Sequence, residues 1–465
     1  MTLQAVRNYA AAHQLFKPEG RYLVALSGGA DSVALLLIME EMGLNIEAAH
    51  CNFHLRGDES VRDEEFCVDL CERHNIPLHR VHFNTEEHAQ LHHISIEMSA
   101  RQLRYRYFSQ LLRDINATAV CVAHHRDDSV ETLLLNLLRG TGFQGLTGIH
   151  PVAPLPSFDV PSSQEKDAST KDAAPLFILR PLLCLSRADI ESYLAGRHQP
   201  FVTDSTNLDP DAALRNRIRL QLLPLMNEMV PSATENIQRT ISHLQQALPQ
   251  LNHSLELSRQ ACLTMQEDIV SISVEKLLEQ PSPEYTLYYI LKDYHFTPAQ
   301  ITQAYSHLHA PTGRHLLSSS HQLVFHRGRL LVAPLPLPLP TLRIPEPGTY
   351  IYDNRYRVRI QRHESQVSSP SQSSSHVCLF SELPFPLILR PLRTGDRFTP
   401  FGMKGTKLVS DYLTNAHRSI IDRQRQLVLT DADDCILWLV GERRAEGHRV
   451  TPQTQQFFTI EVEPV

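Results

Sequence analysis

The chain has 465 residues, of which 42% are apolar and 20% charged, and this composition excludes a wholly disordered or fibrous protein. Its length corresponds to roughly three domains. The net charge of −7 excludes a protein that is basic throughout but not one with local basic patches. No apolar run is long enough to cross a membrane, and the eight cysteines show no C-x-x-C spacing that would indicate a disulfide framework. We therefore expect a cytosolic protein that does not enter the membrane.

The first 150 residues alternate short apolar runs with helical patterns. The predicted strands are Tyr22–Leu26, Asn45–His50, Leu78–Phe83 and Ala117–Ala123. The predicted helices between them are Ser32–Met42, Ser60–Asn75 and Ser95–Asp114. This alternation predicts an α/β domain with a mostly parallel, Rossmann-like sheet, whose ligands bind at the carboxyl ends of the strands.

The remaining chain changes character several times. Polar residues rich in Ser, Pro and Ala indicate a flexible insertion, and a Ser-rich segment further on indicates a linker. Between them helical patterns dominate, with short β-like runs towards the end. We therefore predict an α/β domain over 1–155 that continues to about 220, an insertion at 156–175, a mostly helical domain over 221–362, a linker at 363–376 and a small α+β domain over 377–465.

The most specific motif follows the first predicted strand. It reads Ser27-Gly28-Gly29-Ala30-Asp31-Ser32 and leads directly into a helical pattern. Paired glycines allow a tight turn and a close backbone approach, and a helix N-terminus favours phosphate. Asp31 could hold Mg²⁺ or a cationic amine. The alternative is an ordinary strand-to-helix turn with a capping residue, which the complete motif disfavours. The chain contains no G-x-x-x-x-G-K-[ST] motif, so a kinase-like phosphate loop is excluded.

A second group of polar residues follows the fourth predicted strand. The segment from Cys121 to Thr132 contains His124 and His125 and places Asp128 and Glu131 three residues apart on a helix beginning near Asp127. Such a carboxylate pair can hold an ammonium group or a metal ion. Favourable interaction with the helix dipole explains the pair equally well when it is considered alone. Its position beside the phosphate loop favours the functional interpretation.

Positive charge is concentrated in two places. Residues 389–425 contain eight Lys and Arg against three Asp, with aromatic residues between them, and this balance predicts an RNA-binding patch. We assign its nucleic-acid contacts to Arg390, Arg393, Arg397, Lys404 and Lys407. A smaller cluster, to which we also assign nucleic-acid contacts, comprises Arg215, Arg217 and Arg219. A solvated helix face explains the smaller cluster equally well.

The motifs together resemble known families. S-G-G-x-D-S resembles the signature of the N-type ATP pyrophosphatases, or PP-loop proteins. The resemblance implies that ATP binds to the loop formed by Ser27, Gly28, Gly29, Ala30, Asp31 and Ser32. The segment H-H-x-D-D-x-x-E-T with its downstream L-L-x-L-x-R-G resembles the tRNA(Ile)-lysidine synthetases. Further stretches similar to that family are His50–Arg56, Ala100–Tyr105, Leu179–Leu183, Asp204–Asn207, Leu214–Arg219 and Leu389–Gly405. Residues 156–175 and roughly 260–375 carry no motif that we recognise.

The resemblance implies a reaction. ATP, with Mg²⁺, would adenylate the C2 oxygen of the wobble cytidine of the CAU-anticodon isoleucine tRNA, and the amine of free L-lysine would then displace AMP. Asp31, Asp128 and Glu131 would bind lysine, Asp31 is the candidate Mg²⁺ ligand, and Arg104 would stabilise developing negative charge. Spacing alone favours a solvated helix face for Arg104. The sequence does not fix the oligomeric state, and a homodimer is one state that we consider.

Two other functions compete with this one. A tRNA thiolase of the same superfamily would need suitably placed cysteines, whereas Cys67 and Cys71 are four residues apart on a predicted helix and are expected to pack in its core. A non-catalytic RNA-binding factor that retains an ATP site would be favoured by loss of the three carboxylates, all of which are present.

Overall fold

The structure, a computed structural model, describes residues 2–156, 175–203, 209–210, 213–364, 377–451 and 453–465. The chain forms two compact units, Met1–Leu251 and Asn252–Val465. Most of the predicted insertion at 156–175, most of the predicted linker at 363–376 and the motif at 204–207 lie outside the described residues, so these interpretations stay predictions. No helix in the described part of the chain is long and apolar enough to span a membrane.

The first unit is built on a six-stranded sheet. Its strands are β1 (Arg21–Ala25), β2 (Asn45–Asn52), β3 (Leu78–His82), β4 (Ala119–Cys121), β5 (Val152–Pro154) and β6 (Phe177–Leu179). They are ordered β3-β2-β1-β4-β6-β5, and every pair is parallel except β5 with β6. The four predicted strands are confirmed to within two residues at each end. The predicted α/β class is therefore confirmed.

Helices connect and flank these strands. They are α1 (Thr2–Ala12), α2 (Ala30–Glu41), α3 (Asp58–Arg73), α4 (Thr85–His92), α5 (Ile96–Asp114), α6 (Arg126–Arg139), α7 (Arg187–Ala195), α8 (Leu214–Arg217), α9 (Leu223–Met229) and α10 (Ala233–Cys262). A π-helical turn, Ile218–Leu222, separates α8 from α9. The three helices predicted in the first 150 residues are confirmed as α2, α3 and α5, also to within two residues.

Helix α2 lies at the centre of the first unit. Its segment Val33–Met39 is buried throughout, which explains why its sequence is apolar on every face rather than amphipathic. Complete burial of each large apolar side chain contributes about 1.5–3 kcal/mol. This packing fixes α2 against β1, and it therefore also fixes the turn that joins them.

The second unit begins with a five-stranded sheet and three helices. These strands are β7 (Leu263–Gln266), β8 (Ile269–Ser273), β9 (His315–Leu317), β10 (His321–His326) and β11 (Arg329–Pro334). The helices are α11 (Val274–Leu278), α12 (Pro283–Leu291) and α13 (Pro298–Ser306). The sheet is antiparallel in the order β7-β8-β11-β10-β9. The range 221–362 thus combines helices with short strands, and the strands from β10 onwards lie in the part of this range where the sequence shows short β-like runs.

The rest of the second unit is mainly antiparallel sheet. Its strands are β12 (Leu342–Ile344), β13 (Gly348–Tyr352), β14 (Tyr356–His363), β15 (Val377–Phe380), β16 (Leu387–Pro391), β17 (Arg397–Phe398), β18 (Lys407–Leu408), β19 (Leu427–Thr430), β20 (Ile436–Leu439), β21 (Arg443–Arg444) and β22 (Phe457–Pro464). They form the sheets β12-β16-β19-β20-β21, β13-β14-β22-β15 and β17-β18. Two short helices accompany them, α14 (Val409–Asn415) and α15 (Ile420–Arg425).

Helix α15 joins the two parts of the second unit. Ile421 is fully buried against Val324 on β10 and Ala333 on β11, in the sheet β7-β8-β11-β10-β9. At the end of the helix both Nη atoms of Arg425 donate to the carboxylate of Asp268, at 2.6 and 2.8 Å. Sequence-distant segments are therefore held together by an apolar contact and a bidentate ion pair.

Arg390 on β16 is completely buried, and this contradicts its predicted role in nucleic-acid binding. Its guanidinium donates to both oxygens of Asp396, at 2.8 and 3.0 Å, and to Oδ1 of Asp434 at 2.9 Å. A side chain without exposed surface cannot contact a phosphate. The basic residue that the sequence assigns to the surface is therefore the centre of a structural ion-pair network.

We predict that Asp396→Ala lowers the free energy of unfolding of the second unit by about 3–5 kcal/mol, because it leaves the buried Arg390 charge without its bidentate partner. Chemical denaturation measures this change. Asp434→Ala is the matched control, since the Asp434 side chain is 50% exposed and should contribute no more than about 1 kcal/mol. Equal losses in the two variants would contradict the assignment.

Candidate functional site

The predicted phosphate loop is a tight turn between β1 and α2. Gly28 has a φ of +88°, a conformation that favours glycine, and Gly29 caps the helix. The Ser32 hydroxyl donates to the Gly29 carbonyl oxygen at 3.0 Å and accepts from the Ser27 backbone N–H at 3.2 Å. The Ser32 side chain therefore stabilises the conformation of the loop through hydrogen bonds to its backbone. The unpaired N–H groups at the start of α2 make this turn a suitable anion site.

Two cavities adjoin the loop, with volumes of about 480 and 470 Å³. Both are lined by Ser27, Asp31, Ser32 and Arg219. Each volume lies in the range of sites for small ligands. The loop thus borders two spaces that are each large enough for part of a nucleotide or for an amino acid.

The second of these cavities has an apolar wall beside a cation. Phe53 and Phe108 contribute aromatic surface, and the Cζ atom of Arg104 lies 5.1 Å from the centre of the Phe53 ring. A stacked guanidinium is held in one orientation while it keeps its charge. The structure therefore shows Arg104 at the edge of the second cavity, next to aromatic side chains, and its predicted role as a fixed cation stays a prediction.

Asp31 lies in the first turn of α2 and lines both cavities. Its Oδ1 atom is buried and accepts no hydrogen bond from any described residue. Burial raises the pKa of this carboxyl group, although His125 and Arg187 oppose the effect, with nitrogen–oxygen distances of 3.9 Å each. A carboxylate oxygen without a partner fits a hard cation such as Mg²⁺ or an ammonium group.

Asp128 caps the first turn of α6. One of its oxygens, Oδ2, accepts from the backbone N–H of His125 at 2.9 Å, which confirms a helix start next to the predicted position at Asp127. Burial opposes ionisation of Asp128, but the nearby charges of His125 and Arg215 outweigh it and hold its pKa below the ordinary value. Asp128 is therefore a carboxylate at neutral pH.

His125 connects the two carboxylates. It is almost completely buried, and its Nε2 atom lies 3.9 Å from Asp31 Oδ1 and 3.5 Å from Asp128 Oδ2. No separate role for His125 is predicted from the sequence. The doubled histidine at the end of a strand was the signal that could have identified it, because such a position faces the carboxyl edge of the sheet.

The neighbouring His124 lines the second cavity and accepts a hydrogen bond at Nδ1 from Nε of Arg180, at 3.1 Å. Burial lowers its pKa to about 4. The imidazole is therefore neutral at physiological pH, with its proton on Nε2.

Glu131 is not available in this structure as an anionic site for a ligand. Its side chain is 1% exposed, and both oxygens accept from the guanidiniums of Arg215 and Arg219, at 2.6–2.9 Å. The same two arginines also donate to Asp128 Oδ1 at 3.1 and 3.2 Å. Two carboxylates and two guanidiniums thus form one cluster, which we call the acid–arginine cluster.

The cluster corrects two predictions. Glu131 holds arginines rather than presenting a free carboxylate, and Arg215 and Arg219 point to these acids rather than forming an open basic face for RNA. The physical reason is that a buried carboxylate requires a partner, and the arginines supply it. The prediction for Arg217 remains untested.

The predicted patch in the second unit is also only partly exposed. Arg390 is buried, as described above, and Arg393 donates to Asp434 at 3.1 Å while its side chain stays 57% exposed. Arg397 and Lys404 are exposed and Lys407 is half-buried, and none of these three forms an ion pair with the described residues. Fewer basic side chains of this region are therefore exposed and unpaired among the described residues than the sequence predicts.

Comparison with protein families gives two matches. Residues 1–226 match the PP-loop domain, which is an ATP-binding domain, and residues 265–335 match the TilS substrate binding domain. The second match lies within the range 260–375 in which the sequence analysis found no motif. Its signal is spread over short strands and helices rather than concentrated in one pattern of reactive residues.

Curated relatives match along the whole chain. The chain is 38% identical to the tRNA(Ile)-lysidine synthase of Bacteroides thetaiotaomicron, over 99% of this chain and 100% of that protein. It is 36% identical to the enzyme of the same name from Parabacteroides distasonis, over 98% and 99% of the two chains. It is also 36% identical to that of Porphyromonas gingivalis strain W83, over 94% and 93%. The chain therefore belongs to the tRNA(Ile)-lysidine synthase family and is a PP-loop ligase.

Proposed function

We propose that this protein attaches free L-lysine to C2 of the wobble cytidine in the CAU-anticodon isoleucine tRNA, with ATP as the energy source. The observation that carries the proposal is the position of Asp31. Asp31 lines two cavities at the phosphate loop, one of its carboxylate oxygens accepts no hydrogen bond from the described residues, and a second carboxylate, Asp128, lies close enough to influence its pKa. A cationic substrate and a polyphosphate can therefore be bound next to each other.

The reaction has two steps. The C2 oxygen of cytidine attacks the α-phosphorus of ATP, an oxygen–phosphorus bond forms, and pyrophosphate leaves. The neutral ε-amine of lysine then attacks C2, the bond from C2 to the bridging oxygen breaks, and AMP leaves while the amine loses a proton. Each step moves negative charge onto phosphate oxygens, so fixed cations and hydrogen-bond donors are the groups that accelerate it.

The residues at the loop meet these needs. The N–H groups at the start of α2 bind pyrophosphate, and Arg104 supplies a fixed positive charge beside the base. Asp31 would hold Mg²⁺, which neutralises phosphate charge when bound. Asp128 and Asp31 bind the lysine ammonium group, and Glu131 acts through the arginines that it holds.

Recognition of tRNA rests on the exposed part of the basic region. Arg397, Lys404 and Lys407 keep their charges free of ion pairs within the described residues, and Arg393 is largely exposed. Such groups bind phosphates without reading sequence. Arg217 is a further candidate contact. Homodimerisation and a cytosolic location stay predictions from the sequence.

The first prediction concerns Asp128→Asn, which removes a charge-assisted contact to the amine. It should raise the KM for lysine by about 10- to 100-fold and leave ATP binding within about twofold of wild type. Radiolabelled lysine transfer to CAU-anticodon tRNA measures the first quantity, and equilibrium binding of ATP measures the second. An unchanged KM would remove Asp128 from the lysine pocket.

A second prediction separates the roles of Asp31 and Glu131. Glu131→Gln should lower the free energy of unfolding by about 3–5 kcal/mol, since it leaves two partly buried guanidiniums to share the single remaining carboxylate, Asp128. Asp31→Asn should leave stability equal or higher at neutral pH, because burial raises the pKa of Asp31 and its ionised form is therefore disfavoured in the folded state. Activity should fall in both variants. Destabilisation by Asp31→Asn would show that its carboxylate has a structural partner.

A third prediction concerns the basic region. Arg397→Gln and Lys404→Gln should each weaken tRNA binding and reduce the slope of log K against log salt by about one. Binding measured at several salt concentrations tests this. Arg359→Gln is the matched control, because Arg359 lies on β14 and is paired with Glu461 at 3.2 Å. A wild-type slope in the first two variants would show that these side chains contact no phosphate.

A further inference from the structure

The acid–arginine cluster is electrically balanced. Asp128 and Glu131 contribute two negative charges, and Arg215 and Arg219 contribute two positive ones, with guanidinium–carboxylate hydrogen bonds no longer than 3.2 Å. The Asp128 oxygen on this side, Oδ1, accepts from both arginines. An ammonium group that approaches Asp128 in this state meets a carboxylate that is already neutralised, so its electrostatic gain is small.

Arg219 is the member of the cluster that also reaches the phosphate loop. It lines both cavities together with Ser27, Asp31 and Ser32. It donates through Nε and Nη2 to the two acids, and its Nη1 atom donates to no described residue. The same guanidinium can therefore face the carboxylates on one side and a phosphate bound at the loop on the other.

The backbone around Arg219 is irregular. It lies in the π-helical turn Ile218–Leu222, between α8 and α9, and only Ile218 of this turn is buried. Such turns are less regular than an α-helix and occur frequently at functional sites. A segment of this kind can alter the direction of one side chain without displacing the helices on either side.

We propose that Arg219 couples the two substrates: together with Arg215 it neutralises Asp128 and Glu131 while the loop is empty, and the phosphates of ATP draw it away, which leaves the two carboxylates with Arg215 alone and so favours binding of lysine. This inference rests on the proposed function and specifies the order in which the substrates bind: ATP binds first and favours the binding of lysine. Arg215 still donates to both Glu131 and Asp128 after Arg219 has turned. Two carboxylates then share one guanidinium, so the cluster carries one uncompensated negative charge for the ammonium group.

The experiment measures lysine binding to the full chain by calorimetry or equilibrium dialysis, with and without α,β-methylene-ATP, an analogue that cannot release pyrophosphate. We expect the analogue to tighten lysine binding by about 5- to 100-fold, and lysine to tighten binding of the analogue by the same factor, as linkage requires. Equal lysine affinity in both conditions would overturn the coupling, while lysine transfer to tRNA in the same preparation would still support the proposed function.

Arg219→Gln tests the residue itself. It should tighten lysine binding to the nucleotide-free enzyme, weaken binding of the analogue and reduce the coupling factor to about one. Arg139→Gln is the matched control: Arg139 is exposed at the end of α6 and forms no ion pair with the described residues, so this variant should keep the wild-type factor. Wild-type coupling in a folded Arg219→Gln protein, checked by thermal unfolding, would assign the effect to another residue and overturn the proposal.

Two further outcomes are informative. If tRNA alone tightens lysine binding and the nucleotide analogue does not, RNA phosphates rather than ATP move the arginine and the proposal is wrong. If lysine binds under none of these conditions and is not transferred to tRNA, the proposed function fails together with the coupling.

Discussion

The site depends on the need of buried carboxylates for positive partners. Glu131 is shielded from water on α6, and among the described residues the guanidiniums of Arg215 and Arg219 compensate its charge there. This pairing fixes the segment around α8 against α6, more than 80 residues earlier in the chain. The boundary of both cavities near the phosphate loop follows from it, because Arg219 belongs to each lining.

The parallel sheet explains why these groups meet at all. β1 leads into the phosphate loop, and β4, its neighbour in the sheet, leads into His124 and His125. Both strands end at the same edge, so residues that are about 100 positions apart approach within 4 Å. At the centre of this arrangement Asp31 Oδ1 accepts no hydrogen bond from the part of the chain that the structure describes. Active sites commonly retain such an unsatisfied group, because a ligand completes it.

Local patterns predicted the local parts of the site. The glycine pair before α2 and the spacing of Asp128 and Glu131 are short-range signals, and the turn and the helix formed where they indicate. The partners of Glu131 could not be predicted this way, because they come from a distant segment and ion pairing leaves no periodicity. The predicted role of Arg390 in nucleic-acid binding was wrong for a related reason. An arginine in a basic stretch usually lies on the surface, and the burial of Arg390 is explained by its tertiary neighbours Asp396 and Asp434.

The contact made by α15 has a consequence for any shortened form of this protein. A chain that stopped after β11, at the end of the second family match, would leave Val324 and Ala333 facing water in place of Ile421, and Asp268 without its arginine. The region 265–335 should then expose apolar side chains that are buried in the full chain, and it should have a greater tendency to self-associate. The region that matches the family is thus shorter than the segment needed to keep these residues buried in an isolated fragment.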